Sequence, residues 1–142
     1  MIIWLINQFN QFNHYLDSYR YKIDDPINAF IRLTPDATLY FENLSFKEKS
    51  SFSQILMHQL AEIIPIPDDR IIFNGYQKDS TVLNQMFISI KILESKNNSV
   101  INASMIIDNL DTLIKKKEIT SISKYNLTSM LDESYGLKAH GE

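Results

Sequence analysis

The segment from Met86 to Ile92 alternates without a break, with Met86, Ile88, Ile90 and Ile92 on one side of an extended chain and Phe87, Ser89 and Lys91 on the other. Successive side chains of a strand point to opposite faces, so this pattern demands a sheet with one buried face and one more polar face. A one-sided sheet needs a second layer to cover it, and the rest of the chain must supply that layer. Just upstream, Arg70 to Tyr76 contains Ile71, Ile72 and Phe73 and reads as a strand, with Gly75 near its end. The polar connection Gln77-Lys78-Asp79-Ser80-Thr81 is short enough to fold one strand back on the other as an antiparallel hairpin.

Two helices flank this hairpin. Ser45 and Glu48 match the S-x-x-E capping box, and Phe52, Ile55, Leu56, Leu60 and Ile63 then recur at three- and four-residue steps until Pro65 and Pro67 end the pattern. Asn102 reads as the cap of the second helix, with Ile101 and Ile106 at the hydrophobic-staple positions. Its buried side is expected to hold Ala103, Ile106, Ile107, Leu110, Leu113 and Ile114, while Lys115, Lys116 and Lys117 match the negative end of the helix dipole.

The outer elements are fainter. Thr38 to Leu44 alternates weakly, Leu39 and Phe41 against Tyr40, Glu42 and Leu44, and is expected to form the first strand. Ile119 to Tyr125 is expected to form the last strand, and Thr128 to Ser134 one helical turn stopped by Gly136. Pro26, Pro35 and the pair Asp24-Asp25 mark a connector. The order strand, helix, strand, strand, helix, strand implies an α+β fold, a ferredoxin-like βαββαβ plait. Right-handed crossovers then place both helices on one face of a four-stranded antiparallel sheet. The expected organisation is an amino-terminal appendage and linker over 1–36, the α+β domain over 37–127 and a turn and tail over 128–142.

A chain of 142 residues, 44% of them hydrophobic, suffices for one such domain. Ile is present 21 times and Val twice, a skew typical of AT-rich coding, so periodicity rather than β-propensity carries these assignments. In the appendage, Ile2, Leu5, Ile6, Phe9, Phe12, Leu16 and Tyr19 keep helical spacing beside an Asn/Gln face, which predicts an amphipathic packing helix. Met1 to Ile6 is too short to span a membrane, and Asn7, Gln8, Asn10, Gln11 and Asn13 break any signal-peptide pattern.

Composition also excludes chemistry. A net charge of -3 provides no broad cationic field, which argues against nucleic acid as a partner. The absence of cysteine removes disulfides, thiolate metal sites and a cysteine nucleophile. His14, His58 and His140 are scattered, and no zincin, hydrolase-elbow, P-loop or dinucleotide motif occurs, so no catalytic residue, metal or cofactor is expected. His58 and Glu62 share a helix flank and read as a solvated pair, because a stable metal site wants three or four ligands. Asp108 with Asp111 and Asp68 with Asp69 read as solvating carboxylates.

Tyr76, Phe87 and Tyr125 are candidate contacts on the open sheet face. Sequons occur at Asn43, Asn97, Asn102 and Asn126, of which only Asn97 falls in a clear surface loop and is a candidate glycosylation site.

Pro67-Asp68-Asp69-Arg70-Ile71 before a strand, the alternating Met86 to Ile92, and the Asn102 to Ile114 helix followed by Tyr125-Asn126-Leu127-Thr128 together resemble the SEA module, a plait-type domain of mucin-like and other cell-surface proteins. The self-cleaving members carry Gly-Ser and valines at the second hairpin, where this chain has Asp79-Ser80-Thr81-Val82, so the resemblance does not bring cleavage with it. The first of these runs, with Asp108-Asn109-Leu110, Leu113-Ile114 and Leu131-Asp132-Glu133-Ser134-Tyr135-Gly136, is also similar to a repeated domain of uncharacterised fungal surface or membrane proteins. Both resemblances imply an ectodomain-like module without assigned activity. The reading is therefore a non-catalytic interaction or structural module, with the aromatic amino-terminal segment 1–20, a second copy or another protein on its open sheet face. The alternative is a small ligand-binding or hydrolytic plait in which Ser80, His58 or Tyr76 would contribute.

Overall fold

The computed structural model describes residues 26–79, 81, 84–94 and 101–140; the expected amino-terminal helix, Ser80 and Asn97 lie outside the described residues. The elements run β1 (Ile27–Arg32), α1 (Pro35–Glu42), α2 (Phe46–Ile63), β2 (Ile71–Lys78), β3 (Met86–Ile92), α3 (Ala103–Lys115) and β4 (Leu137–Ala139). The strands form one four-stranded sheet in the order β2-β3-β1-β4, with every neighbouring pair antiparallel.

The alternation in β3 behaves as its sequence demands. Ile88, Ile90 and Ile92 are fully buried, and register sets them across from Ile31, Ala29 and Ile27 of β1. On the other side Ile71 and Phe73 of β2 stand opposite Ile92 and Ile90. These residues share one face with Leu137 of β4, and the same face receives Phe41 of α1, Phe52, Leu56 and Leu60 of α2, and Ile106, Leu110 and Ile114 of α3 in a single core. All three described α-helices therefore cover one side of the sheet.

Local signals account for the helices. Ser45 Oγ accepts from the Glu48 amide at 3.2 Å while Glu48 Oε1 accepts from the Ser45 amide at 3.0 Å, the reciprocal box expected at the start of α2. Asn102 caps α3 by accepting from the Met105 amide at 2.9 Å.

The two outer strands lie elsewhere than expected. Thr38 to Leu44 is not a strand, because Thr34 caps a helix by accepting from the Ala37 amide at 3.2 Å and Pro35 occupies its first turn, where the missing N–H has no intrahelical partner to lose. The first strand is instead β1, within the stretch that its flanking prolines mark as connector, and it is a central strand of the sheet. Its buried residues, Ala29 and Ile31, alternate correctly, but six residues between punctuating prolines give the pattern little length.

Ile119 to Tyr125 is not the last strand either. It contains 3₁₀ turns at Lys117–Ile119 and Ser121–Lys124, and Ile119 and Ile122, three apart, diverge in burial: the first is exposed and the second fully buried. The sheet is closed by β4, which falls in the expected tail, so β1 and β4 both lie outside the 37–127 range.

Leu39 and Phe41 discriminate between the two readings of residues 35–42. A strand would place them on one face, whereas α1 leaves Leu39 54% exposed and buries Phe41 completely, its ring edge-on to Phe52 at 5.1 Å and to Tyr76 at 5.0 Å. Urea unfolding is expected to show Phe41→Ala losing about 3–5 kcal/mol and Leu39→Ala less than about 1 kcal/mol. Equal losses would refute the helix.

Candidate functional site

Two surfaces and one polar cluster stand out. The first surface is the sheet face away from the helices. Register brings Arg32 opposite Phe87, Phe30 opposite Ser89 and Lys138, and Asn28 opposite Lys91 on that side. Phe30 and Phe87 lie 5.6 Å apart, Tyr135 packs on Phe87 at 5.2 Å, and His140 lies 5.7 Å from Phe30. Arg32 and Lys138 sit over the Tyr135 ring at 4.9 Å and 4.7 Å, in the range of a cation–π contact. The aromatic groups are half-buried, because they cover one another and the cations cover Tyr135.

The second surface is a groove of about 500 Å³ between α2 and the edge strand β2. Phe46, Ser50, Ser53 and Met57 recur along one flank of α2, and Ile71, Phe73 and Tyr76 face them. The small serines let the groove sink toward the helix backbone. Phe46 is 88% exposed and Tyr76 44%, so the groove presents large apolar side chains to water. A β-bulge between Phe73 and Tyr76, with Gly75 at φ +110°, returns Tyr76 to the helix side of β2. His58 and Asp68 join the groove's walls by a 2.8 Å contact between Nδ1 and Oδ2. The hydrogen bond to Asp68 and its charge raise the His58 pKa. This exposed pair is thus strongest below the ordinary histidine pKa and weakens as pH rises through the raised value.

The polar cluster centres on Arg32, whose guanidinium reaches Asp132 Oδ2 at 2.9 Å and Asp79 Oδ2 at 3.3 Å. Gln85 Nε2 donates to Asp132 Oδ2 at 2.6 Å and to the Leu33 carbonyl at 3.0 Å, and Ser134 donates to Asp132 Oδ1 through both backbone and hydroxyl. Asp79 Oδ1 in turn accepts from the Thr81 amide and hydroxyl. Each carboxylate is engaged by structural partners, and the cluster ties the end of β1, the β2–β3 connection and the carboxy-terminal segment together.

The structure separates the expected aromatic set. Phe87 lies on the open face, Tyr76 lies on the helix side against Phe41, and Tyr125 lies on the irregular segment after α3, beside Glu62 of α2. The open-face aromatic partners of Phe87 are Phe30, Tyr135 and His140. Phe30 reaches this face only through β1, and Tyr135 and His140 through β4, the two strands that lie outside the expected 37–127 domain. His58 and Tyr76 both line the groove.

His58 pairs with Asp68 and Glu62, yet no group of three or more histidine or carboxylate side chains among the described residues is placed to hold a metal ion. Lys115 pairs with Asp111, and Lys117 donates to the carbonyls of Ser129 and Leu131. Two sequon asparagines serve the fold, Asn102 as a cap and Asn126 as acceptor from Gln59 at 2.8 Å. Among the described residues no helix is long and apolar enough to cross a membrane.

Comparison with protein-family models, with curated proteins and with solved structures finds no match to this chain.

For Asp132, burial pushes the carboxyl pKa up, but hydrogen bonds from Ser134, Gln85 and Arg32 outweigh it and hold the group below its ordinary value. A carboxylate lowered in this way contributes stability above its unfolded pKa and loses it as pH falls through the folded one. The urea midpoint is therefore expected to drop as pH falls below about 4. Asp132→Asn should lower the neutral-pH midpoint and flatten that acid limb; an unchanged limb would show that Asp132 is not the linked group.

Proposed function

We propose that this protein is a non-catalytic interaction module of the ferredoxin-like plait type, SEA-like in its architecture, that takes a protein partner on its open sheet face. What supports the plait reading is the order β2-β3-β1-β4, antiparallel throughout, with helical connections between β1 and β2 and between β3 and β4. What supports a non-catalytic role is that the polar cluster around Arg32 spends its donors and acceptors on structure.

The observation that carries the surface is the composition of the uncovered face. A contiguous aromatic row of Phe30, Phe87 and Tyr135 lies beside Lys91 and Lys138, neither of which has a carboxylate partner among the described residues. Aromatic residues supply contact area at low entropic cost, and unpaired cations set polarity, so the fitting partner is a protein with an acidic, apolar-centred patch. A face-to-face copy of the same chain would bring these cations together, which disfavours self-association there.

Crosslinking in a cell extract is expected to join wild-type protein to a discrete partner, and Phe87→Ser and Lys138→Glu, each checked for native circular dichroism, should lose it. Lys116→Glu, away from the face, should retain it. Failure to join any protein, or equal capture by all four proteins, would overturn the reading. Retention of a single-stranded oligonucleotide at low salt, lost in Phe87→Ser, would replace the protein partner by nucleic acid.

A further inference from the structure

The groove between α2 and β2 leaves Phe46 and Tyr76 open to water, and the mode of its occupation is constrained by β2 itself. An extended segment pairing with this edge would need an unbroken ladder. The bulge at Asn74 and Gly75 interrupts that ladder and twists the edge away, as edge strands do when strand addition is blocked. Side chains inserting from a helix need no ladder. The groove floor, with Ser50 and Ser53 small between Phe46 and Met57, has the relief that admits them.

The groove's charged neighbours are already engaged. Lys49 lies over the rings of Phe41 and Tyr76 at 5.6 Å and 5.8 Å, while His58 and Asp68 pair with each other. An occupant without charge therefore fits best.

We propose that the occupant is the chain's own residues 1–20, docked in cis as an amphipathic helix. Residues 1–16 contain no Lys, Arg, Asp or Glu, and the stripe Ile2, Leu5, Ile6, Phe9, Phe12 is the apolar side such a groove would receive. The chain approaches from the correct end. Ile27, where β1 begins, stands opposite Ile92, and Ile92 stands opposite Ile71 at the groove's His58 end. Two strand spacings put the start of β1 about 10 Å from that end.

Ile71 to Tyr76 spans about 17 Å, which the eleven residues from Ile2 to Phe12 cover as a helix at about 1.5 Å per residue. Residues 13–25 can extend to about 40 Å, far more than the link requires. Tethering at this range supplies an effective concentration near millimolar, so even weak docking is populated. The open sheet face suits this segment less well, because Lys91 and Lys138 flank it and residues 1–16 carry no acidic side chain to meet them.

The chain has no native cysteine, so introduced pairs can be read without background. In the full-length protein at low concentration, Asn13→Cys with Gln54→Cys is expected to give an intramolecular product with a short bismaleimide. Asn13→Cys with Gln77→Cys, aimed at the open face, should not. Gln54 and Gln77 are both exposed, which leaves the core untouched.

Adding Phe46→Lys and Ser50→Lys, both at exposed positions on the α2 wall, should reduce the first product to the level of the second. Trp4 is the single tryptophan and gives an independent readout. Its emission should shift to longer wavelength and its acrylamide quenching rise in the Phe46→Lys/Ser50→Lys protein, and stay unchanged in Phe87→Ser. Equal yields from the two cysteine pairs, a product formed only between chains, or Trp4 emission indifferent to the groove substitutions would each overturn cis docking. Because the readouts spare Phe87 and Lys138, their failure leaves the open-face reading standing, and the converse also holds.

Discussion

One-sided burial of the β1–β3 pair is the constraint on which the other elements depend. Ala29 and Ile31 meet Ile90 and Ile88 across the centre of the sheet, all without solvent exposure. A slip of one residue would turn these side chains outward and bring Phe30 and Phe87 inward, so the register is fixed by burial rather than by any single bond. Ala29 is the small member of this set. Its row runs through Ile90 to Phe73, and a bulky residue in its place would overpack the fully buried centre of the sheet.

The segment after α3, residues 116–140, has little regular structure of its own and is held by side chains reaching out of regular elements. Gln59 of α2 donates to Asn126 and accepts from the amides of Leu127 and Thr128 at 3.2 Å. Lys117 collects two carbonyls, and Arg32 with Gln85 grips Asp132. Asp111 of α3 accepts from the Leu137 amide at 2.9 Å, and Gly136, at φ +71°, passes so close to Asp111 and Lys115 that a Cβ would collide with them. No buried side-chain nitrogen or oxygen among the described residues lacks a partner. Satisfied polar groups thus hold the irregular segment in place and deliver the last strand to β1, where a short antiparallel ladder completes the sheet.

What could be read from the residues divides along the same line. Period and cap signals that are complete within one segment, as in Ser45 to Ile63, Met86 to Ile92 and Asn102 to Ile114, give elements where they are expected. The four-stranded antiparallel sheet and the α+β class follow from them. The outer strands were legible only through tertiary context: β1 is six residues between prolines, and β4 is three residues after a glycine.

Thr34-Pro35 was the overlooked signal, since a cap followed by proline starts a helix more strongly than weak alternation starts a strand. The groove escaped for another reason. Its α2 wall sets two small residues, Ser50 and Ser53, between Phe46 and Met57, and the serines break an otherwise helical stripe of apolar positions. On the open face Phe87 was visible because β3 was, whereas Phe30 and Tyr135 depended on strands not yet placed.

The two surfaces differ in how the fold protects them, and that difference bears on their uses. An aromatic row on the middle strands of a sheet is self-limiting: Phe30, Phe87 and Tyr135 shield one another, and Arg32, held by Asp79 and Asp132, lies over Tyr135 as a fixed cap. Such a face can wait in water for a partner. Among the described residues the edge groove is less shielded: Phe46, at the first turn of α2, is 88% exposed, and Tyr76, after a bulge, has only Lys49 over its ring beside Phe41 and Phe73. The fold blocks strand pairing there but leaves the apolar walls apart. A surface protected against its own kind of edge yet open to inserted side chains favours an occupant that is helical, uncharged and always nearby, and a tethered segment meets all three conditions more readily than a freely diffusing protein.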